Sequence, residues 1–236
     1  MGITTVILLL VVGVPPETSF AQLKVPEGFT KQLIAAEPQI MDPVAFCFDD
    51  KGNILVAESF RQEQGVEDNR SSAFWLGWDL GLELVESRLR MYEHFADQRT
   101  NGMEYYSMFE DRIRLLQDTD ADGVYETATI FADGFNDPLD GTGAGVLAMG
   151  DTVWYTNIPH LWEIKSNTQK RSLFQGFGVR IALRGHDMHG LALGLDGRLY
   201  WSIGDRGYHV ELEDGTELHS PGEGAVFRSE LDGTQL

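Results

Sequence analysis

The chain has 236 residues and a formal net charge of −19, from 37 acidic and 18 basic side chains. That balance excludes a duplex or RNA partner, since phosphate binding needs a basic footprint. It suits calcium sites and a secreted life, and the length suits one sizeable domain or two small ones.

Residues 3–14 form an apolar run, too short for a membrane span of about 20 residues. Pro15-Pro16 ends it. Ser19 and Ala21 then supply small residues at the −3 and −1 places of a signal-peptidase site. The expectation is a signal peptide over 1–21 and an exported, periplasmic protein. The leader carries no Lys or Arg, which leaves an uncleaved N-terminal anchor open as the alternative.

The rest reads as one domain, 22–236. Val25-Pro26-Glu27-Gly28 is a turn, and Phe29 to Ala35 is a candidate outer strand. A hairpin follows: Val44 to Phe48, the turn Asp49 to Gly52, then Asn53 to Glu58. Its one cysteine, Cys47, cannot form an internal disulfide and is read as a buried, inert thiol. No C-x-x-C-H occurs, so this chain attaches no c-type haem.

Residues 60 to about 110 break the strand pattern and are read as an insertion between blades, partly helical from Gly81 to Phe95. Strands resume at Arg112 to Leu116 and Thr127 to Phe131. A glycine-rich loop spans 136–145. A second hairpin, Val146 to Thr156, has outer strands at Leu161–Lys165 and Lys170–Phe174. The third hairpin is L-G-L-D-G-R-L-Y-W-S-I-G over 193–204, and a last strand covers Gly224 to Ser229. The three hairpins share one shape, an apolar strand, an Asp/Gly turn and a second apolar strand. The 26 Gly and 25 aromatic residues (13 Phe, 7 Tyr and 5 Trp) fit many short strands with tight turns. An internal repeat of this kind points to an all-β propeller. About four blades are countable, the last incomplete, as expected of the N-terminal piece of a longer protein.

Two constellations carry chemistry. In D-T-D-A-D-G, Asp118, Asp120 and Asp122 alternate around a turn that Gly123 permits, and Glu126 can complete an oxygen set for calcium. The twelfth position is Thr129, so this is no full EF-hand; the plain alternative is a solvated acidic turn. In the third hairpin, His186 and His189 precede the first strand, and Asp205 and Arg206 follow the second. An antiparallel hairpin returns to its origin, so all four share a neighbourhood. Imidazole beside carboxylate makes a general base; polar loop caps are the plain alternative. A zinc set of Asp187, Asp205 and the two histidines is weaker, because His186 and His189 are not on a helix. The glycine-rich loop lacks the Lys-Ser/Thr of a P-loop, and G-x-S-x-G is absent.

The run H-x-x-x-x-L-x-x-G-x-D-G-x-L-Y-x-x-I-G-D-x-G resembles the inner-blade motif of the soluble quinoprotein glucose/sorbosone dehydrogenases. VPEGF, AAEP, DTDADG, FADGFNDPLDGTGAGVLA, GFGVR, GHDMHGL, IGDRG and GAVFR together more closely resemble the membrane-bound dehydrogenase propeller domain of large PVC-type bacterial proteins. The resemblance covers about residues 24–236. It implies a six-bladed propeller that oxidises a sugar or alcohol. His186 would be the base, oriented by Asp205, with hydride passing to pyrroloquinoline quinone. Arg206, His189 and Thr142 would be the cofactor contacts, and a c-type haem module would lie further along a longer chain. The cations that grip the quinone in those enzymes belong to later blades, so this piece alone is expected to be inactive. Leu161-Trp162 is also followed by no second Asp-rich loop. The rival expectation is a non-catalytic propeller that binds glycan or protein and serves a larger redox protein.

Overall fold

A computed structural model describes residues 15–183 and 185–236. Most of the expected signal peptide lies outside the described residues. The chain divides into two units, one ending at Met41 and one over Asp42–Leu236.

In the first unit, α1 (Pro16–Gln22) starts with proline at its first turn, where the missing N–H costs nothing. Lys31 Nζ caps its C-terminal end, donating to the carbonyls of Phe20 and Leu23, each at 2.7 Å. The strand expected over Phe29–Ala35 does not form. Phe29 is 70% exposed, and without a neighbouring strand its apolar character has nothing to pack on. No helix among the described residues is long and apolar enough to cross a membrane.

The second unit holds the sheets. β1 (Pro43–Phe48), β2 (Ile54–Glu58), β3 (Asp111–Gln117) and β4 (Thr127–Phe135) form an antiparallel meander in that order. A second meander contains β5 (Gly143–Met149), β6 (Thr152–Asn157), β7 (His160–Ser166) and β8 (Gln169–Gln175). The third sheet runs β13 (Ala225–Ser229), β10 (Leu199–Ile203), β9 (His189–Leu193), and β11 (Tyr208–Glu211) pairs with β12 (Glu217–Ser220) as a separate hairpin. This is the repeated antiparallel architecture of a partial propeller, and no closed barrel forms.

Each expected hairpin sits at the inner side of its own sheet. β1 packs on β5, and β5 packs on β9. The turns of the first two repeats also meet, Gly150 N donating to Asp50 Oδ2 at 2.8 Å. Sheet stacking follows from period-two alternation along β6. Val153 and Tyr155 join Leu55, Ile113 and Phe135 against the first sheet. Trp154 faces the other way, joining Leu161, Phe174, Trp201 and Phe227 against the third. A strand buried on both faces has no polar side, and β6 is buried at five of its six positions.

The segment expected as an insertion between blades is placed differently from that expectation. It lies inside the first sheet, between β2 and β3, which still pair directly, Glu58 opposite Arg112 and Ala57 opposite Ile113. It contains α2 (Leu76–Asp79) and α3 (Val85–His94). Its own core comprises Trp75, Leu82, Val85, Met91, Tyr92 and Tyr106, closed by Val179 and Ile181. Asp79 fixes that contact, its carboxylate accepting from Ile181 N at 2.6 Å and Ala182 N at 3.2 Å.

Candidate functional site

β10 ends at Ile203, and the next residue must be glycine for a steric reason. Gly204 N donates to the carbonyl of His186 at 3.2 Å. A Cβ at Gly204 would stand 2.9 Å from His186 Cβ and 3.1 Å from that carbonyl oxygen. The segment before β9 can therefore lie directly on the end of β10. Asp205 then meets His186, with Nδ1 2.6 Å from Oδ1. Their side chains are 43% and 49% exposed. With Nδ1–H donating to the carboxylate, Nε2 keeps its lone pair for a proton, the tautomer a general base requires.

The next residue of each segment turns inward. Asp187 and Arg206 are buried and form an ion pair through Nη1 and Oδ1. Arg206 Nε donates to Arg180 O at 3.1 Å, and Thr142 Oγ1 donates to Asp187 Oδ2 at 2.7 Å. An exposed dyad thus adjoins a buried Asp–Arg pair braced by the half-buried Thr142. A carboxylate and a guanidinium taken out of water need such partners.

The glycine-rich loop before β5 is held from beneath by buried arginines. Arg61 donates to the carbonyls of Asp140 at 3.1 Å, Tyr106 at 2.6 Å and Asp137 at 3.0 Å. Arg88 Nη2 donates to Leu139 O at 2.8 Å. Asp111 accepts from Ser59 Oγ and from the amides of Phe60, Arg61 and Gly143, at 2.7 to 3.2 Å. Burial nevertheless raises its carboxyl above the ordinary range. Burial also pushes Asp140 up to about 7, and the thiol of Cys47, which is half-buried and not buried as expected, up to about 11.

The family model for a domain of unknown function, DUF7133, matches residues 15–236. The chain belongs to the DUF7133 family. None of the curated proteins matches it.

In this DUF7133 chain the predicted site residues fall into three places. His186 and Asp205 come together. Thr142 and Arg206 meet through Asp187, Thr142 Oγ1 and Arg206 Nη1 each donating to its carboxylate, while Arg206 Nε turns to Arg180 O. Arg206, 1% exposed, therefore braces the loops instead of presenting a charge to a ligand. His189 turns to its own segment, Nε2 lying 3.0 Å from Gly185 O. The pairing of Asp187 with Arg206 also removes it from the weaker zinc set. A concavity between residues 171–175, 211–214 and 232–236 contains none of these groups.

Asp118, Asp120, Asp122 and Glu126 converge, one carboxylate oxygen of each lying within 4.8 Å of the others. Ala121 and Gly123 take positive φ, +63° and +89°, and turn the loop back on itself. The amides of Gly123 and Val124 donate to Asp118 and Asp122, each at 2.8 Å. Thr119 donates twice to Glu126, through its amide at 2.9 Å and its hydroxyl at 3.0 Å. These bonds hold the Glu126 carboxyl below its usual range. An all-carboxylate donor set fits a hard cation such as calcium.

The sequence reading missed Arg61, Arg88, Asp111 and Asp140. Charged residues are rarely fully buried unless paired, and nothing in their local pattern marks them as interior. The one available signal was the glycine-rich loop, whose exposed main-chain carbonyls need donors from elsewhere.

Proposed function

We propose that this domain belongs to a propeller dehydrogenase of the quinoprotein type, acting on a sugar or alcohol hydroxyl outside the cytoplasm. The observation that carries this reading is the 2.6 Å contact between His186 Nδ1 and Asp205 Oδ1 at the end of the third hairpin. The substrate hydroxyl proton passes to His186 Nε2, and Asp205 stabilises the imidazolium that results. The family resemblance to the PVC-type membrane-bound dehydrogenase domain supports the same assignment. Pyrroloquinoline quinone, when bound, supplies the acceptor chemistry for the hydride. Thr142 and Arg206 do not fit that cofactor, because Thr142 Oγ1 donates to Asp187 and Arg206 is buried between Asp187 and Arg180 O, so no step through it is derived from them. The Asp118–Glu126 loop would hold a structural calcium.

A second reading is favoured by the commitment of Arg206: a non-catalytic propeller that binds glycan and serves a haem-bearing redox partner. Dye-linked oxidation of aldoses and alcohols by the longer chain that carries the later blades, with pyrroloquinoline quinone and calcium added, separates the two. On the first reading His186→Ala lowers turnover by about 10²–10⁴-fold. Undiminished turnover in that variant would overturn the base assignment. Absence of saturable quinone binding by that longer chain would favour the second reading.

A further inference from the structure

The hairpin β11–β12 carries a side-chain cluster apart from the dyad. In an antiparallel pair the residues of one face alternate, and here His209 lies opposite His219 and Glu211 opposite Glu217. Val210, on the opposite face, is fully buried in the core shared with Trp201 and Phe227. The His/Glu face therefore points outward. The main-chain amide of His209 donates to Gly176 O at 2.7 Å, away from β12. The two histidines are thus a non-hydrogen-bonded pair, the kind in which facing side chains come closest. Their ring centroids are 4.5 Å apart.

Carboxylates bracket both rings. Glu83, from the insertion, places Oε2 3.2 Å from His219 Nε2, and Glu217 places Oε2 3.6 Å from His209 Nε2. Surface His–Glu pairs taken singly are worth little. Two features go beyond such pairs. The imidazole planes are tilted 39° to each other at that centroid distance, so the two rings are immediate neighbours. Glu211 and Glu217 also face each other directly, an unfavourable arrangement for two anions. A divalent cation accepts imidazole nitrogen and carboxylate oxygen together and would relieve the facing carboxylates.

We propose that His209, His219, Glu83 and Glu217 form a zinc site. Two nitrogens and two carboxylate oxygens are a donor set for zinc, with ligand distances of about 2.0–2.2 Å. The four side chains are between 20% and 63% exposed, and their donor atoms do not all lie within 4.8 Å of one another, so binding would require them to rotate onto the ion. This chemistry differs from that of the Asp118–Glu126 loop, where every donor is oxygen. The ion would fasten the insertion, through Glu83, to the hairpin that follows the third sheet.

Competition with a chromogenic chelator tests this on the whole chain, in excess calcium so that the acidic loop is filled. One equivalent of zinc is expected. His209→Ala/His219→Ala should abolish its binding, while His186→Ala/His189→Ala should leave it intact. Glu83→Gln, an exposed change that leaves the hairpin untouched, should weaken binding at least about tenfold, and it serves if the double variant fails to fold. Substitution with cobalt should give visible absorption bands that the double variant lacks. No zinc uptake by the wild type, uptake unchanged by loss of both hairpin histidines, or uptake lost instead with His186 and His189 would overturn the site.

Discussion

Asp140 makes stability fall as pH rises, against the usual behaviour of carboxylates. It is 6% exposed, and its carboxylate takes a hydrogen bond from Asp137 N at 2.9 Å. Arg61 and Arg88 lie nearby but give the donors described above to carbonyls. Burial therefore dominates and raises the group from 3.8 to about 7. The native state then binds more protons than the unfolded chain between those values. The neutral acid's advantage is complete below pH 4, declines through pH 4–7 and is gone above. A shift of that size corresponds to about 4 kcal/mol as an upper figure. Asp140→Asn keeps the shape of the neutral acid and removes the titration. Urea midpoints of the two proteins should coincide near pH 3, below the unfolded value of 3.8. By pH 8 the variant should be more stable by about 2–4 kcal/mol. His160, whose burial lowers its pKa, titrates in the opposite sense but equally in both proteins, so the difference isolates Asp140. Equal pH slopes, or a variant weaker at pH 8, would refute the argument.

Arg206→Leu should cost about 3–5 kcal/mol by leaving Asp187 buried without its partner, and adding Asp187→Leu should recover part of it; a single-variant cost below about 1 kcal/mol in urea melts would contradict the buried pair. Calcium at a hundred times its dissociation constant should stabilise the protein by about 2.7 kcal/mol, read as a rise in Tm that Asp120→Asn abolishes; a rise unaffected by that change would place the ion elsewhere.

The three inner hairpins were legible because each joins apolar strands through an Asp/Gly turn, and each does seed a sheet. His186 and Asp205 were legible for the same reason, since a hairpin must bring its ends together. Other parts were not. Strand character resuming at Arg112 does not say which sheet receives it, so the insertion was put between blades, although β3 returns to β2. The β11–β12 hairpin escaped notice because β12, E-L-H-S, has no β-branched or aromatic residue. Phe29 to Ala35 had the composition of a strand but lacks a partner. Arg206 was read as a ligand contact because its place in I-G-D-R-G was visible; its pairing with Asp187 depends on packing across two loops.

The bond from Asp79 to Ile181 also orders events at the ribosome. Its two ends are 102 residues apart, so at about 5–20 residues per second the second emerges about 5–20 s after the first. For that interval Trp75 and Tyr92 wait without the Val179 and Ile181 that close over them. The nascent insertion is thus born as a half-finished lining, completed only by chain that has yet to be translated.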